Sequence, residues 1–170
     1  MAEAMNFYDA VKNRRSVRKY RDTPVPAEKV DRIWEAVRWA PSACNLQPWR
    51  FLLVKSAEMR ERTRRVLLQD WVITAPLVVV ALGNRETAWR RDGVSIHAVD
   101  VAIAMEHLVL AATAEGLGSC WICTFNRNAL QDTLDIGPEW EAVAVTPLGY
   151  ADDPSPRTGR KPLADLVREI

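Results

Sequence analysis

The sequence predicts an α+β domain in which about four strands and five or six helices build a mixed sheet flanked by helices. Three observations predict it. Leu77 to Leu82 is a β-branched-rich apolar run, the pattern of a central strand. Val30, Ile33, Trp34 and Val37 recur at helical spacing on one face. Strands and helices interleave without the strict regularity of repeated strand–helix–strand units.

The elements follow in order. Residues 7–13 form a short helix ahead of the basic run Arg14-Arg15-Ser16-Val17-Arg18-Lys19-Tyr20-Arg21. Pro24 and Pro26 then punctuate, and Pro26 suits a first helical turn, where its missing N–H is harmless. The helix that follows ends at Pro41, because the residue before a proline avoids helical backbone. Residues 42–48 are a polar loop, and 49–54 a strand. Residues 57–70 read as a helix with Glu58, Glu61 and several arginines on its wet side. After the central strand, 84–94 is a polar loop containing Trp89, Arg90 and Arg91. Residues 95–115 make the longest helix, closed by Gly116. Residues 119–124 are a strand, 128–136 a helix and 142–148 a strand. The tail from Ala151 to Pro162 is extended, and a last helical stretch starts at Leu163.

At 170 residues the chain reads as one domain, 1–170, large enough to bury a real core. The 23 Lys and Arg against 22 Asp and Glu disfavour a strongly basic nucleic-acid binder. Only seven Gly are present, too scattered for glycine-dependent phosphate loops. Gly116-Leu117-Gly118 meets Trp121 where a dinucleotide fingerprint needs its third glycine, and no G-x-x-x-x-G-K-[ST] occurs. A bound phosphate would have to be held largely by side chains. The N-terminal residues carry no apolar signal core, and three Cys, an odd number, point to a reducing compartment. The longest apolar stretch contains Asp100, Glu106 and His107, too much charge for a membrane span.

That stretch is still unusual. Thirteen of the 18 residues from Ala98 to Glu115 are apolar, and they do not keep to one stripe. Such a helix must be buried nearly all round. It is either a central core helix or a helix with one face in a subunit interface.

Four segments carry chemistry-bearing residues. In Arg14-Arg15-Ser16-x-Arg18, guanidinium forks and a hydroxyl can grip one phosphate or carboxylate; the same run fits a solvated basic turn. In Ala40-Pro41-Ser42-Ala43-Cys44-Asn45-Leu46-Gln47-Pro48-Trp49, Asn45 and Gln47 offer donors and acceptors for a flat heterocycle edge; the segment also fits a well-made turn. Gly116 to Thr124 contains Cys120-x-x-Cys123, but in a predicted strand the two thiols point to opposite faces, unlike a dithiol at a helix start. Zinc would need two more ligands, and Cys44, His97 and His107 show no finger spacing. Pro154-Ser155-Pro156-Arg157-Thr158-Gly159-Arg160-Lys161-Pro162 could close on an anion, lie along a neighbour or hang free. With two His, and no Ser or Cys in a nucleophile-elbow setting, nucleophilic catalysis has little support.

Together, RRSVRKY (14–20), APSACNLQPWRF (40–51), GLGSCWI (116–122) and Arg160-Lys161-Pro162-Leu163 resemble the FMN-dependent nitroreductase family in order and spacing, over nearly the whole chain. The resemblance implies a mostly antiparallel sheet and a homodimer with two FMN molecules at its interface. Arg14 and Arg160 would hold the phosphate, with Ser16 in the same motif and Arg15 and Lys161 as partners. Arg18 would lie by the N1–C2=O edge of the isoalloxazine, where a cation favours the reduced flavin. Pro41, Ser42, Asn45 and Gln47 would come from the other subunit. Ile122, Cys123 and Thr124 would run along the ring, with the N–H of Cys123 or Thr124 near N5. Arg18, Cys123 and Thr124 would tune the flavin, and Cys123 departs from the glycine or glutamate more frequent there.

The implied reaction is ping-pong. NAD(P)H reduces FMN, and a nitroaromatic, quinone or enone-like acceptor then enters the same face; no protein acid or base is obligatory. The C-terminal tail becomes an arm over the partner. The loop 84–94, with Trp89 and Arg90, borders the pocket, and the chain lacks a long lid insertion. No metal, nucleic acid or membrane is implied, and the compartment is cytoplasmic. Same-fold alternatives are a dehydrogenase, a reductive dehalogenase or a flavin-fragmenting enzyme. From other classes come a flavin-binding redox sensor with little turnover and a zinc or dithiol protein.

Overall fold

Leu77–Asn84 forms strand β2, and every one of its residues is buried. Its alternate side chains feed two separate cores, as a period of two requires. Leu77, Val79 and Ala81 face one cluster, while Val78, Val80 and Leu82 face the other. The computed structural model describes residues 5–152 and 156–170 of the chain. Pro154 and Ser155 of the proline-rich tail motif therefore lie outside the described residues.

Strand β1 (Trp49–Val54) and strand β6 (Trp140–Gly149) pair antiparallel with β2 on either side, and β5 (Gly118–Ser119) pairs with β6. The sheet order is β1-β2-β6-β5. All its strand pairings are antiparallel, so the predicted mixed character reduces to one parallel bridge, Ser16 to Ser119. Between Ala81 and Leu82 the register with β6 shifts by one residue, which leaves Val143 as a bulge.

Helix α1 (Phe7–Asn13) is capped by the Asn6 side chain, which accepts the Asp9 N–H. Helix α2 (Ala27–Arg38) buries Val30, Ile33 and Val37 against the first core, the face that the helical spacing predicts. Helix α4 (His97–Ala114) crosses the same core with Val101, Ala104, Met105, Leu108 and Ala112. Gly116, at φ 74°, ends it: the N–H groups of Gly116 and Leu117 return to the carbonyls of Thr113 and Ala112. By length and composition α4 could cross a membrane, but it packs as a core helix with a second face outward, where Val99 is exposed. The core reading of this helix holds for its inward face. Helices α3 (Ala57–Arg64) and α5 (Arg127–Leu134) cover the other core, to which Met59 and Leu130 contribute.

Four expectations change. The helix expected over 57–70 stops at Arg64, because Leu67 bridges Phe125 and the Asn126 N–H takes the Val66 carbonyl. The chain re-forms only a 3-10 turn at Asp70–Thr74. The polar loop 84–94 contains a hairpin of β3 (Arg90–Arg91) and β4 (Val94–Ser95). Its turn is Asp92-Gly93, both at positive φ, as tight hairpins demand. The stretch from Leu163 makes one 3-10 turn, Leu163–Asp165, rather than a helix.

The fourth change matters most for the site. The strand expected over 119–124 is only Gly118–Ser119, followed by a single bridge from Ile122 to Val145. Continuing the register of β5 along β6 sets Cys120 opposite Pro147. Proline has no N–H to give the ladder. The Cys120 N–H turns instead to the Thr146 hydroxyl at 3.2 Å, and that hydroxyl donates to the Pro147 carbonyl at 3.0 Å. Beyond Ile122 the chain leaves the sheet.

Candidate functional site

The segment after α1 runs across the end of β5. The Val17 N–H donates to the Ser119 carbonyl at 2.9 Å, and Val17 is buried beside Tyr20 and Ala75. The Tyr20 hydroxyl donates to the Val17 carbonyl at 2.8 Å, and burial drives its pKa far above the usual range. With Val17 and Tyr20 anchored inward, Arg14, Arg15, Ser16 and Arg18 are left to face outward. The C-terminal segment meets them there, and Arg157 donates to the Asn13 side chain at 3.3 Å.

The two ends of the chain enclose an open pocket of about 430 Å3 lined by Lys12, Arg14, Arg15, Ser16, Arg18, Arg157, Thr158 and Arg160, with Val11 and Pro156. Six of these are cations, and the lining contains no carboxylate. Elsewhere among the described residues seven basic residues pair with acids, Lys19 with Asp152, Arg32 with Glu115, Arg38 with Glu35, Arg64 with Glu61 and Asp70, Arg65 with Glu61, and Arg85 and Arg127 with Glu141, while others rest on rings or carbonyls, as Arg50, Arg60 and Arg90 do. Among the described residues none of the six pocket cations makes such a pair. Their guanidinium groups rest on neutral acceptors. Arg15 donates to the carbonyls of Lys12 and Arg14, Arg18 to that of Ser16, and Arg160 to Thr158 and Gly159.

Uncompensated like charges at close quarters repel. Desolvation, and then the fields of Arg157, Arg14 and Arg160, hold the Arg15 guanidinium below its ordinary pKa. An anion with several acceptor oxygens would relieve that repulsion and accept several forks at once. A phosphate monoester has that chemistry, and the pocket fits it without any glycine loop.

Behind Ser16 lies Cys120, buried and pushed up in pKa by that burial, while Arg18, Ser16 and Arg14 pull the other way. Cys123 is exposed and accepts the Trp121 indole N–H at 3.1 Å. The two thiols therefore face opposite ways, one sealed in the core and one in solvent. Among the described residues, no cluster of three or more His, Cys, Asp or Glu could hold a metal.

The structure thus brings Arg14, Arg15, Ser16, Arg18 and Arg160 together. Lys161 follows Arg160 and is exposed outside the pocket lining. Ile122 is buried, while Cys123 and Thr124 are exposed. Cys123 borders a separate opening with Phe125, Asn126, Arg127 and Asn128. Pro41, Ser42, Asn45 and Gln47 are not in the cation pocket of the same chain. They form a tight turn in which the Ser42 hydroxyl accepts the Gln47 N–H at 2.9 Å. Cys44, Asn45 and Gln47 all adopt positive φ there, and Pro41, Asn45 and Gln47 stay exposed. Trp89 and Arg90 sit on the hairpin, where Arg90 donates to the Gly93 carbonyl.

Sequence reasoning missed Lys12 and Thr158 as lining residues, and named Arg157 only as part of the tail. Lys12 lies in the last turn of α1, one turn ahead of Arg15, a spacing that signals their proximity.

Comparison with known proteins shows the family and the fold. A family model described as the nitroreductase family matches residues 11–72 and 59–150. A protein of Methanothermobacter thermautotrophicus named a putative NADH dehydrogenase/NAD(P)H nitroreductase is 30% identical over 158 residues, covering 90% of this chain and 82% of its own. A nitroreductase family protein of Clostridium novyi NT superposes with TM-score 0.84 at 35% identity, covering 88% of this chain and 87% of its own. An FMN-dependent nitroreductase of Clostridium difficile R20291 superposes with TM-score 0.80 at 27% identity, covering 89% and 91%.

Proposed function

The chain belongs to the nitroreductase family, and from that premise we propose that it is an FMN-dependent oxidoreductase acting as a cytoplasmic homodimer. The observation that carries the proposal is the cation pocket. Arg14 and Arg160, from opposite ends of the chain, converge with Arg15 and Ser16 on one space whose lining holds no carboxylate. One relative is named an FMN-dependent nitroreductase, and the phosphate monoester of FMN matches that donor set.

In this reading Arg14, Arg15, Ser16 and Arg160 hold the phosphate, with Lys161 in support. Bound FMN supplies the redox chemistry, passing a hydride from NAD(P)H to a nitroaromatic, quinone or similar acceptor in two half-reactions. Arg18, which lines the same pocket, would set its charge by the pyrimidine edge of the ring and favour negative charge there. Ile122 stays bonded to Val145, and beyond it Cys123 and Thr124, exposed off the sheet, would lay their backbone N–H groups along the ring. Protons reach the open face from water, so no side chain is assigned as acid or base.

The second subunit completes the site. Pro41, Asn45 and Gln47 are exposed, Ser42 is half-buried beside them, and all four lie outside the cation pocket of their own chain, which suits donation to a partner. The outward face of α4, with Val99, and the exposed Phe7, Tyr8 and Val11 of α1 supply apolar surface for the dimer. Leu163, Leu166, Val167 and Ile170 are exposed on the C-terminal arm and suit a contact with the partner. The three unpaired cysteines agree with a reducing compartment.

The visible spectrum of the purified protein tests this. Oxidised-flavin bands, with FMN released on denaturation and bleaching on addition of NADH or NADPH, support it. A colourless protein that cannot be reconstituted with FMN overturns it. Steady-state turnover with menadione or nitrofurazone separates an enzyme from a flavin-binding sensor.

A further inference from the structure

The sheet leaves a gap beside the segment that the Proposed function, on which this inference rests, lays along the flavin ring. Val143 of β6 is bulged out of register with β2. On its other side the register of β5 sets Thr124 opposite it, but the chain has left the sheet after Ile122. Among the described residues Val143 therefore has no paired residue on either side. The result is an opening of about 370 Å3 with half-buried Val143 and Phe125 at its floor and exposed Cys123, Asn126, Arg127 and Asn128 around it. It shares no residue with the cation pocket.

Exposed cations are common on this surface, but Arg127 is held. Its Nη1 lies 2.8 Å from Glu141 Oε1, and the Glu141 side chain is only 12% exposed. The same carboxylate takes the Arg85 guanidinium, and His97 Nε2 stands 3.4 Å from it. One negative charge thus serves two guanidinium groups, so an excess of positive charge is fixed there. The contact occupies one corner of Arg127. Its Nε and Nη2 have no partner among the described residues, and the side chain lines the opening. A fork already fixed on one side loses little freedom when its other side binds. Asn126 spends its Oδ1 on the Ala129 N–H and keeps its amide nitrogen as a donor. The lining holds no carboxylate. A positioned fork and amide donors around an apolar floor match a flat aromatic body that carries a carboxylate.

We propose that this opening is a subsite for the second substrate and selects aromatic acceptors bearing a carboxylate. The carboxylate binds Nε and Nη2 of Arg127 with an amide of Asn126 or Asn128. The ring lies on Phe125 and Val143, and the reducible group points past Cys123 toward the flavin. Glu141 is the positioning residue that holds the Arg127 fork. The redox step stays that of the Proposed function: for a nitro acceptor, ArNO2 + NAD(P)H + H+ gives ArNO + NAD(P)+ + H2O.

The test uses the FMN-loaded protein with NADH and two acceptors, 4-nitrobenzoate and its uncharged methyl ester. The parent should show a KM for the acid at least about fivefold below that for the ester. Arg127→Ala should raise the KM of the acid about tenfold relative to the ester, the range of a charge-assisted contact, with little change in kcat. Arg127→Lys should raise it less, since it keeps the charge without the fork. Arg62→Ala removes the same charge from the exposed face of α3 and should leave the ratio at the parent level. Arg127→Gln keeps a donor for Glu141 and reads the same loss if the alanine variant folds poorly. Equal KM values for acid and ester in the parent, or a ratio that Arg127→Ala leaves unchanged, overturn the proposal. A rise in KM for NADH instead of the acid also overturns it, by giving the opening to the nicotinamide substrate. Isothermal titration with 4-nitrobenzoate needs no turnover and separates this inference from the flavin reading. Binding lost in Arg127→Ala supports the subsite even in a protein that never takes FMN, where the flavin reading fails. An active, FMN-loaded protein whose binding of 4-nitrobenzoate ignores Arg127 sinks the subsite alone.

Discussion

The carboxylate of Asp100, in the first turn of α4, accepts the backbone N–H of Ala43 at 3.0 Å. Asp100 is almost wholly buried, and its second oxygen has no partner among the described residues. One side chain of the core helix thereby holds the turn that carries Ser42, Asn45 and Gln47. That turn contains three residues at positive φ, a conformation non-glycine residues adopt at a cost. Asp100 ties it to α4.

Asp100→Ala should therefore weaken FMN retention several-fold, because a buried unpaired N–H costs about 1–3 kcal/mol and the strained turn relaxes. Asp100→Asn keeps an acceptor oxygen for Ala43 and should retain most of the affinity. Flavin fluorescence on dilution reads both variants. Equal loss in the two would show that the charge, not the acceptor, matters.

Arg14→Ala should raise the FMN dissociation constant by about ten- to a hundredfold, the range of a charge-assisted contact to phosphate. Arg38→Ala, at a cation already paired with Glu35, should leave it unchanged. The parent protein should also lose FMN as ionic strength rises, because exposed charges are screened. Fluorescence titration at several salt concentrations checks the three statements together. Similar losses in both variants would deny the pocket its role.

The contrast between Asp100 and Arg14 shows what was legible in the sequence. Arg14, Ser16, Arg18 and Arg160 announce themselves by residue type, since few other reasons gather forks and hydroxyls in short segments. An Asp in the first turn of a helix reads as a partner of the helix dipole. Its contact with Ala43 exists only after folding. The short β5 was hidden for a related reason. Ser119 to Thr124 has ordinary strand composition, and its interruption depends on which β6 residue lies opposite, here Pro147. The β3–β4 hairpin was read as a plain polar loop, although Asp92-Gly93 is a pair that favours tight turns. The assignment of Lys12 to the pocket needed the orientation of α1, a short helix whose Phe7, Tyr8 and Val11 are all exposed. Apolar periodicity says nothing useful there about which face turns inward.

The acid and neutral sides of the stability curve should respond to different carboxylates. Hydrogen bonds from Arg38 and Trp39 hold Glu35 at a pKa of about 2, and the bond from Arg64 does the same for Glu61. Their stabilisation is present above the ordinary value of 4.5 and is lost as pH falls from there toward 2. Glu106 has the opposite sign. Desolvation on the outward face of α4 raises its pKa, against the pull of Arg14 and His107. The folded protein then binds the proton more tightly than the unfolded chain, so stability falls as pH rises through the interval above 4.5. Glu106→Gln should raise Tm at pH 7, and the gain should disappear near pH 4. Thermal melts across that range read it. A variant less stable than the parent at pH 7 would mean that the attraction to Arg14 outweighs desolvation.

Gly118 sets how closely the cation-bearing segment lies on the sheet. A Cβ there would come within 2.7 Å of Val17 Cγ2 and 2.9 Å of Val17 Cβ. Val17 cannot yield by a rotamer change alone, since its Cβ is among the atoms met and the side chain is stiff at χ1. It is also buried, and its N–H is bonded to the Ser119 carbonyl. Gly118→Ala must then lift the backbone around residue 17 off β5, and Arg14, Ser16 and Arg18 move with it. The expected result is a lower Tm together with an FMN affinity reduced by more than stability alone explains. Val17→Ala removes the γ carbons, which are two of the three atoms in conflict. The double variant should regain much of the FMN affinity while staying less stable than the parent, because Val17 is part of a small core with Tyr20 and Ala75. Flavin titration and thermal melts on the three variants separate the two effects. If Gly118→Ala binds FMN as the parent does, the close contact between Gly118 and Val17 does not position the site.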